Sequence, residues 1–179
     1  MRTFTAPAAL LALALTACSP DAGSNPLAAP TPSPAASRSE SDNGVSATRE
    51  KSVQGTFEAT ETDQVRPGTT LLETRLEGTG TASHLGRYTA IAQFTVNLAT
   101  GAGGGSIVFT AANGDRITAT ETGQAVDAGG VADITETATI TGGTGQFAGA
   151  TGTLTIQRRL VLTTGASQGR LEGTIDLQR

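Results

Sequence analysis

The sequence predicts an all-β protein whose main domain is an eight-stranded antiparallel up-and-down barrel, and three observations support this. After Lys51, residues such as Thr, Val, Ile and Leu alternate with polar residues at a period of two, as in a strand with one buried face. Glycine-rich turns interrupt this pattern at fairly even spacing. No stretch has the apolar spacing of a helix, so we expect neighbouring strands to pair antiparallel.

The strands are predicted over Ser52–Glu61, Thr70–Gly80, Gly86–Asn97, Gly105–Ala111, Asp115–Gln124, Val131–Thr141, Thr153–Thr163 and Gly169–Leu177. Hairpin signals such as Asn113-Gly114 and Thr164-Gly165-Ala166-Ser167 connect sequential strands. Closing the sheet would remove its two unpaired edges and leave an interior that side chains fill or that holds one small ligand. An open sandwich of two sheets is the alternative.

The first residues indicate export from the cytoplasm. One positive residue, Arg2, is followed by an apolar stretch from Ala6 to Ala17. This stretch has the length of a signal-peptide core and is too short to span a bilayer as a helix. We therefore predict a lipoprotein signal peptide over residues 1–17.

The residue that follows, Cys18, is the only cysteine of the chain. The string Leu15-Thr16-Ala17-Cys18 resembles the bacterial lipobox, in which the signal is cut before the cysteine and that residue is then acylated. The resemblance implies an exported protein that is anchored to the cell envelope, on its periplasmic or surface side, through a lipid on Cys18. An unmodified exposed thiol is the alternative, because a single cysteine forms no internal disulfide.

Residues 18–51 are rich in Pro, Ser, Ala and other small residues and contain almost nothing to bury. Such a segment cannot offset the entropy of ordering its backbone. We predict a disordered linker over residues 18–51 and a barrel domain over residues 52–178.

Composition and single residues exclude several classes of function. A formal net charge of -4 without a basic patch argues against a nucleic-acid partner. The only histidine, His84, has no companions that could complete a metal site, so we expect it to stabilise a turn or line the barrel mouth. The glycine run Gly101–Ser106 lacks the lysine of a phosphate-binding loop and is predicted to be a flexible hairpin loop. We expect no metal and no cofactor.

The glycine-rich stretch Gly142–Gly152 carries one large apolar residue, Phe147, which we expect to fold back into the core. Its spacing G-G-T-G-x-F-x-x-A-x-G is similar to a late motif of plant dirigent proteins and, more loosely, of allene oxide cyclases. The strings at Gly78–Thr89 and Phe109–Ile117 resemble bacterial proteins with an allene-oxide-cyclase-like barrel. The resemblance implies the barrel and leaves a homo-oligomer open, since plant relatives assemble. No catalytic residue of either family matches a position here.

Three charged residues fall on the apolar face of their predicted strands, namely Glu121, Glu136 and Arg158. Turns centred on Ala128-Gly129 and on Phe147 would place Glu136 directly opposite both Glu121 and Arg158. Two neighbouring carboxylates beside a guanidinium separate in pKa, which suits acid/base chemistry. A structural ion pair, or a register that turns one charge outward, is the alternative.

These features predict a lipid-anchored barrel outside the cytoplasm that binds a small apolar ligand or a surface partner, without an assigned catalytic reaction. The resemblance adds a second hypothesis, an isomerase or cyclase of the allene oxide cyclase type that uses the barrel lumen. A third is a purely structural envelope protein with a filled barrel.

Overall fold

The computed structural model describes residues 49–178. The predicted signal peptide, Cys18 and almost all of the predicted linker lie outside these residues. Eight strands form one closed antiparallel barrel in which each strand pairs with its sequence neighbours and the last pairs with the first. They are β1 (Arg49–Val65), β2 (Leu71–Ala82), β3 (Gly86–Asn97), β4 (Ala102–Ala111), β5 (Arg116–Asp127), β6 (Val131–Gly143), β7 (Thr151–Val161) and β8 (Ala166–Leu177). This confirms the predicted barrel and excludes the open sandwich.

The period-two pattern divides every strand between the lumen and the outer surface of the barrel. In β6, for example, Ala132, Ile134, Glu136, Ala138 and Ile140 are buried, whereas the residues that alternate with them are exposed. Pairing of β1 with β8, from Arg49 opposite Leu177 to Thr60 opposite Ala166, closes the wall. Within the described residues every strand therefore has a neighbour on both sides along most of its length.

The two ends of the barrel differ. The hairpins β1–β2, β3–β4, β5–β6 and β7–β8 surround what we call the open end. The remaining turns surround the closed end, together with the start of β1 and the finish of β8. Between β6 and β7, a short 3-10 turn over Gly145–Phe147 places the ring of Phe147, only 1% exposed, in the core, as predicted.

Several strand boundaries depart from the predictions by a few residues, and two of these differences change an earlier interpretation. The strand β1 begins at Arg49 rather than Ser52, so the barrel includes the last residues of the predicted linker. The run Gly101–Ser106 is not a flexible loop, because β4 begins at Ala102 and Gly103 to Ser106 pair with both β3 and β5. A Cβ atom at Gly105 would collide with the backbone of Gln93 and Phe94, so this glycine permits close approach of β3.

The part of the chain that the structure describes contains no helix with the length and apolar character needed to cross a membrane.

Candidate functional site

A cluster of buried charges lies in the lumen and is centred on Arg158 of β7. Its Nε donates to Oε2 of Glu136 at 2.9 Å and its Nη2 donates to Oε1 of Glu136 at 2.8 Å, which makes a bidentate pair. Its Nη1 donates to Oε1 of Glu61 on β1 and, at 3.4 Å, to Oγ of Ser167 on β8. The guanidinium also lies over the ring of Phe94, 5.6 Å from the ring centroid. Side chains from four other strands, β1, β3, β6 and β8, therefore surround the guanidinium of Arg158.

A second feature of the lumen is the carboxyl group of Glu121 on β5. Glu121 is only 5% exposed. Within residues 49–178 no hydrogen bond to this carboxyl group is formed, in contrast to Glu61 and Glu136. The carboxyl group of Glu121 therefore borders the cavity without a protein partner in this part of the chain.

The predicted faces of Glu121, Glu136 and Arg158 are confirmed, but their predicted register is wrong. Glu121 lies opposite Ala138, and Glu136 lies opposite Gly123 on one side and Ile156 on the other. Both pairings differ from the prediction by two residues. A shift of two keeps every side chain on its face, so the charges still meet in the lumen as diagonal neighbours instead of forming a straight row.

Two glycines make room for the charged side chains. A Cβ atom at Gly123 would come within 2.6 Å of Cγ of Glu136, its cross-strand partner. A Cβ atom at Gly169, the partner of Arg158 on β8, would lie 2.7 Å from the Cβ of that arginine. Both separations are shorter than real Cβ contacts, so the absence of a side chain at each glycine lets a long charged residue cross the lumen.

The cluster forms the inner wall of a cavity of about 340 Å³ that opens between the hairpins of the open end. Most of the remaining wall is apolar, and its larger members are Leu72, Phe94, Val96, Leu98, Ile134, Leu160 and Leu162. A smaller void of about 20 Å³ lies deeper and shares Glu121, Glu136 and Arg158 with the larger cavity. Below it the lumen is filled by side chains such as Ile117 and Leu154.

The rim of the open end is apolar as well. Val65, Leu98, Val126 and Leu162 lie at the ends of β1, β3, β5 and β7 and are each about half exposed or more, at 53%, 54%, 61% and 47%. Single exposed apolar residues are common on proteins, but here one stands at each hairpin of the open end, with Leu98 and Leu162 lining the cavity and Val126 on the outer face of its strand.

Burial changes the proton affinity of two of the lumenal carboxyl groups. Desolvation, reinforced by the charge of Glu136, raises the pKa of Glu121 to about 8 against the attraction of Arg158. Desolvation, with Asp63 and Glu136 as further causes, raises the pKa of Glu61 to about 7 although it is paired with Arg158. Burial opposes the charge of Arg158, but hydrogen bonds and attraction from Glu136 and Glu61 outweigh it and raise its pKa. Near neutral pH the cluster therefore holds protons on carboxyl groups beside one compensated ion pair.

Sequence reasoning missed Glu61 and Ser167. Glu61 shares the inward face of β1 with Val53 and Phe57, so the period-two pattern could have placed its side chain in the lumen. Glu61 lies on β1 and Arg158 on β7. These two strands come close only because β8 pairs with both of them and closes the barrel. Ser167 carried no signal that distinguishes it from the other serines.

Two other polar residues lie apart from this cluster. His84 is exposed in the β2–β3 turn at the closed end, with a φ of 65°, so it belongs to a turn and does not line the mouth. Tyr88 packs edge-on against Phe109, and its buried hydroxyl has no hydrogen-bond partner among the described residues. Within the described chain no three His, Cys, Asp or Glu residues are placed to hold a metal ion.

Fold and site together define a closed eight-stranded antiparallel barrel with buried charges in a half-open lumen. Among solved structures, this chain is similar to the pterocarpan synthase dirigent protein GePTS1, with a TM-score of 0.59 and 13% identity over 81% of this chain and 98% of that one. It is also similar to the pterocarpan synthase dirigent protein PsPTS1, with a TM-score of 0.57 and 11% identity over 73% and 97%. No protein-family model and no curated protein matches the chain. The similarity establishes a dirigent-like fold.

Proposed function

We propose that this protein binds a small, largely apolar molecule in the open half of its barrel. The observation that carries the proposal is the cavity of about 340 Å³, whose apolar walls end on the unpaired carboxyl group of Glu121. Ligand sites are typically concave and mostly apolar, with a few polar groups that fix orientation, and the volume lies within their usual range. At neutral pH a protonated Glu121 would donate a hydrogen bond to an acceptor on the ligand.

The cavity favours ligand binding over a purely structural role. A structural envelope barrel needs a filled interior, as the half around Phe147 has. The half around Glu121 has neither apolar filling nor a hydrogen-bond partner for its carboxyl group. A ligand in the cavity would supply the partner that this carboxyl group lacks and would stabilise the folded state.

The lipobox-like string at Cys18 supports the further proposal that the barrel works outside the cytoplasm on a lipid anchor. Mass spectrometry of the N-terminal peptide after expression in the native host would test it. We expect an acylated Cys18 at the new N-terminus and release of the Cys18→Ala variant from the membrane fraction. A wild-type chain found unacylated and soluble would contradict the anchor without affecting the ligand proposal.

A second candidate is an isomerase or cyclase of the allene oxide cyclase type. One observation favours it, namely that Glu61 and Glu121 have pKa values raised to about 7 and 8, close to the values that suit a general acid or base at neutral pH. Turnover of a ligand found in the cavity, lost in Glu121→Gln while binding persists, would favour this reading over binding alone.

Native mass spectrometry of the protein purified from its own host tests the principal proposal. We expect a small molecule to travel with the wild-type chain and to be lost or reduced in Glu121→Gln and Glu136→Gln. Glu58→Gln, which removes an exposed carboxylate from the outer face of β1, is the control. Ligand binding and turnover that are unchanged in both lumenal variants would exclude this cluster as the site.

A further inference from the structure

We propose that the ligand of the lumen is an organic cation, with an apolar body for the cavity wall and an ammonium-like group that reaches the carboxyl groups of Glu121 and Glu61. This inference rests on the proposed function, since it names the class of molecule for the same cavity.

The balance of charge along the cavity favours a cation. Five acidic residues line it, Glu61, Asp63, Glu121, Asp127 and Glu136, against one basic residue, Arg158. The guanidinium of Arg158 is already engaged, because Glu136 takes two of its nitrogens and Glu61 and Ser167 share the third. An anionic ligand would therefore meet no free positive group and several carboxyl groups.

The chemistry of the site favours an organic cation over a metal ion. Among residues 49–178 no three acidic or histidine side chains are arranged to coordinate a metal. The carboxyl groups instead belong to a wall that also contains Leu72, Phe94 and Leu160. An amine with an apolar body matches both parts, since its charge reaches the carboxyl groups while its carbon atoms remove the apolar wall from water.

Glu121 supplies a second observation, independent of the number of acidic residues. Its side chain faces the cavity, is almost fully buried and has no hydrogen-bond partner among the described residues. The charged groups around it come from three strands, with Glu61 and Asp63 on β1, Glu136 on β6 and Arg158 on β7. In the absence of a ligand a proton neutralises the carboxyl group of Glu121, and the ammonium group of a ligand would neutralise it equally well.

Exchange of a proton for a cation has a measurable consequence. Burial raises the pKa of Glu121 to about 8 and that of Glu61 to about 7, so both carry protons over part of the neutral range. A bound cation favours their ionised forms, and the displaced protons leave for solvent. Affinity for a cation must therefore increase as pH rises from 6 to 8, with protons released on binding.

Three matched probes test the inference on the full-length protein. They are 2-(1-naphthyl)ethylamine, 2-(1-naphthyl)ethanol and 1-naphthylacetate, which share the aromatic body and differ in charge. The amine resembles a lysine side chain in keeping its proton at pH 8. Isothermal titration calorimetry in buffers of different ionisation enthalpy measures both affinity and proton release.

At pH 8 we expect the amine to bind about tenfold more tightly than the alcohol, with proton release, and the advantage to shrink at pH 6. Glu121→Gln, which keeps the shape of the protonated acid, should lower affinity for the amine about tenfold and leave that for the alcohol unchanged. Glu61→Gln should act in the same direction. Glu172→Gln, which removes an exposed carboxylate from the outer face of β8, should change neither affinity.

Binding of the alcohol or the carboxylate as tightly as the amine would overturn the cation inference and leave the proposed small-molecule site intact. Failure of all three probes to bind at their solubility limit would also overturn it. The proposed function would then be judged by native mass spectrometry of the host-purified protein, which depends on no chosen probe.

Discussion

Two consecutive arginines, Arg158 and Arg159, form ion pairs on opposite faces of the same barrel wall, one in the lumen and one on the outer surface. Both belong to β7, and both pair with a carboxylate of β6, Glu136 at 2.8 Å and Asp133 at 3.1 Å. The side chain of Arg158 is 2% exposed and that of Arg159 is 66% exposed. The pairs are similar in distance, but Arg159 lies directly opposite Asp133, whereas Arg158 is a diagonal neighbour of Glu136 and also contacts Glu61. The largest difference between them is their access to water.

On the outer face, water and salt screen the ion pair, and holding two long side chains together costs entropy. On the inner face, removing either partner leaves a charge that water cannot reach. Position in the period-two pattern, rather than the existence of a salt bridge, should therefore decide which substitution matters. The following predictions test this contrast, from the largest expected effect to the smallest.

The largest loss of stability is expected at the packed end of the inner face. Phe147→Ala removes a ring that is 1% exposed and leaves a cavity, which should lower the free energy of unfolding by about 4 kcal/mol. Urea unfolding followed by circular dichroism measures this. Val126→Ala, at a rim position that is 61% exposed, should change it by less than about 0.5 kcal/mol. Equal losses in the two variants would show that Phe147 does not plug the core.

The next effect is expected at Arg158. Arg158→Met leaves Glu136 and Glu61 buried without a cation, which at pH 8 should cost about 3 kcal/mol. At pH 5, below the pKa of about 7 to which burial raises Glu61, that carboxyl group is protonated and needs no cation, so the loss should be smaller. Thermal unfolding at both pH values separates charge from packing. A loss that is the same at pH 5 and pH 8 would mean that the contact of Arg158 with Phe94 matters and the ion pairs do not.

Glu121→Gln should change how stability depends on pH. The folded pKa of Glu121, about 8, lies above its ordinary value of 4.5, so the folded protein binds more protons than the unfolded chain between these values. Its contribution is therefore complete at low pH and is lost as pH rises toward 8, at roughly 1 kcal/mol per pH unit. The variant cannot titrate there, and denaturant titrations from pH 5 to 9 should show a shallower decline. An unchanged slope would exclude a protonated Glu121.

The smallest effect is expected on the outer face. Arg159→Met breaks an exposed pair and should change stability by less than about 1 kcal/mol, with little dependence on pH. It is the matched control for Arg158→Met, because the two differ by one position in the same strand. If Arg159→Met cost as much as Arg158→Met, the contrast between the two faces would fail.

Local periodicity was enough to predict the eight strands and the inward direction of Glu121, Glu136 and Arg158, whereas closure into a barrel was predicted from the two sheet edges and from the family resemblance. A period of two fixes the face of a side chain whatever its partner is, so these predictions survived an error in register. The burial of Phe147 was also predictable, because it is the one large apolar side chain in a glycine-rich stretch and such a ring is seldom left exposed to water.

The strand register and the cavity could not be predicted from the period-two pattern, because they depend on where each turn is centred and on which residues face each other across strands. The β5–β6 hairpin is centred on Gly129-Gly130, one residue beyond the position assumed, and this alone moves Glu136 from Glu121 to Gly123. The contact between Glu61 and Arg158 requires the two ends of the sheet to meet. The room for Glu136 beside Gly123 becomes apparent only when the partners of that glycine are known.

Arg49 and Leu177 face each other at the closed end, where the barrel domain both begins and finishes. Anything joined to either terminus of the domain, whether a longer polypeptide, a reporter protein or a solid support, is therefore joined on the side away from the hairpins that surround the lumen. Neighbouring termini at a surface are also the arrangement that tolerates insertion of a domain into a host protein. The barrel is thus suited to be carried as a module, with its entrance unobstructed by its attachment.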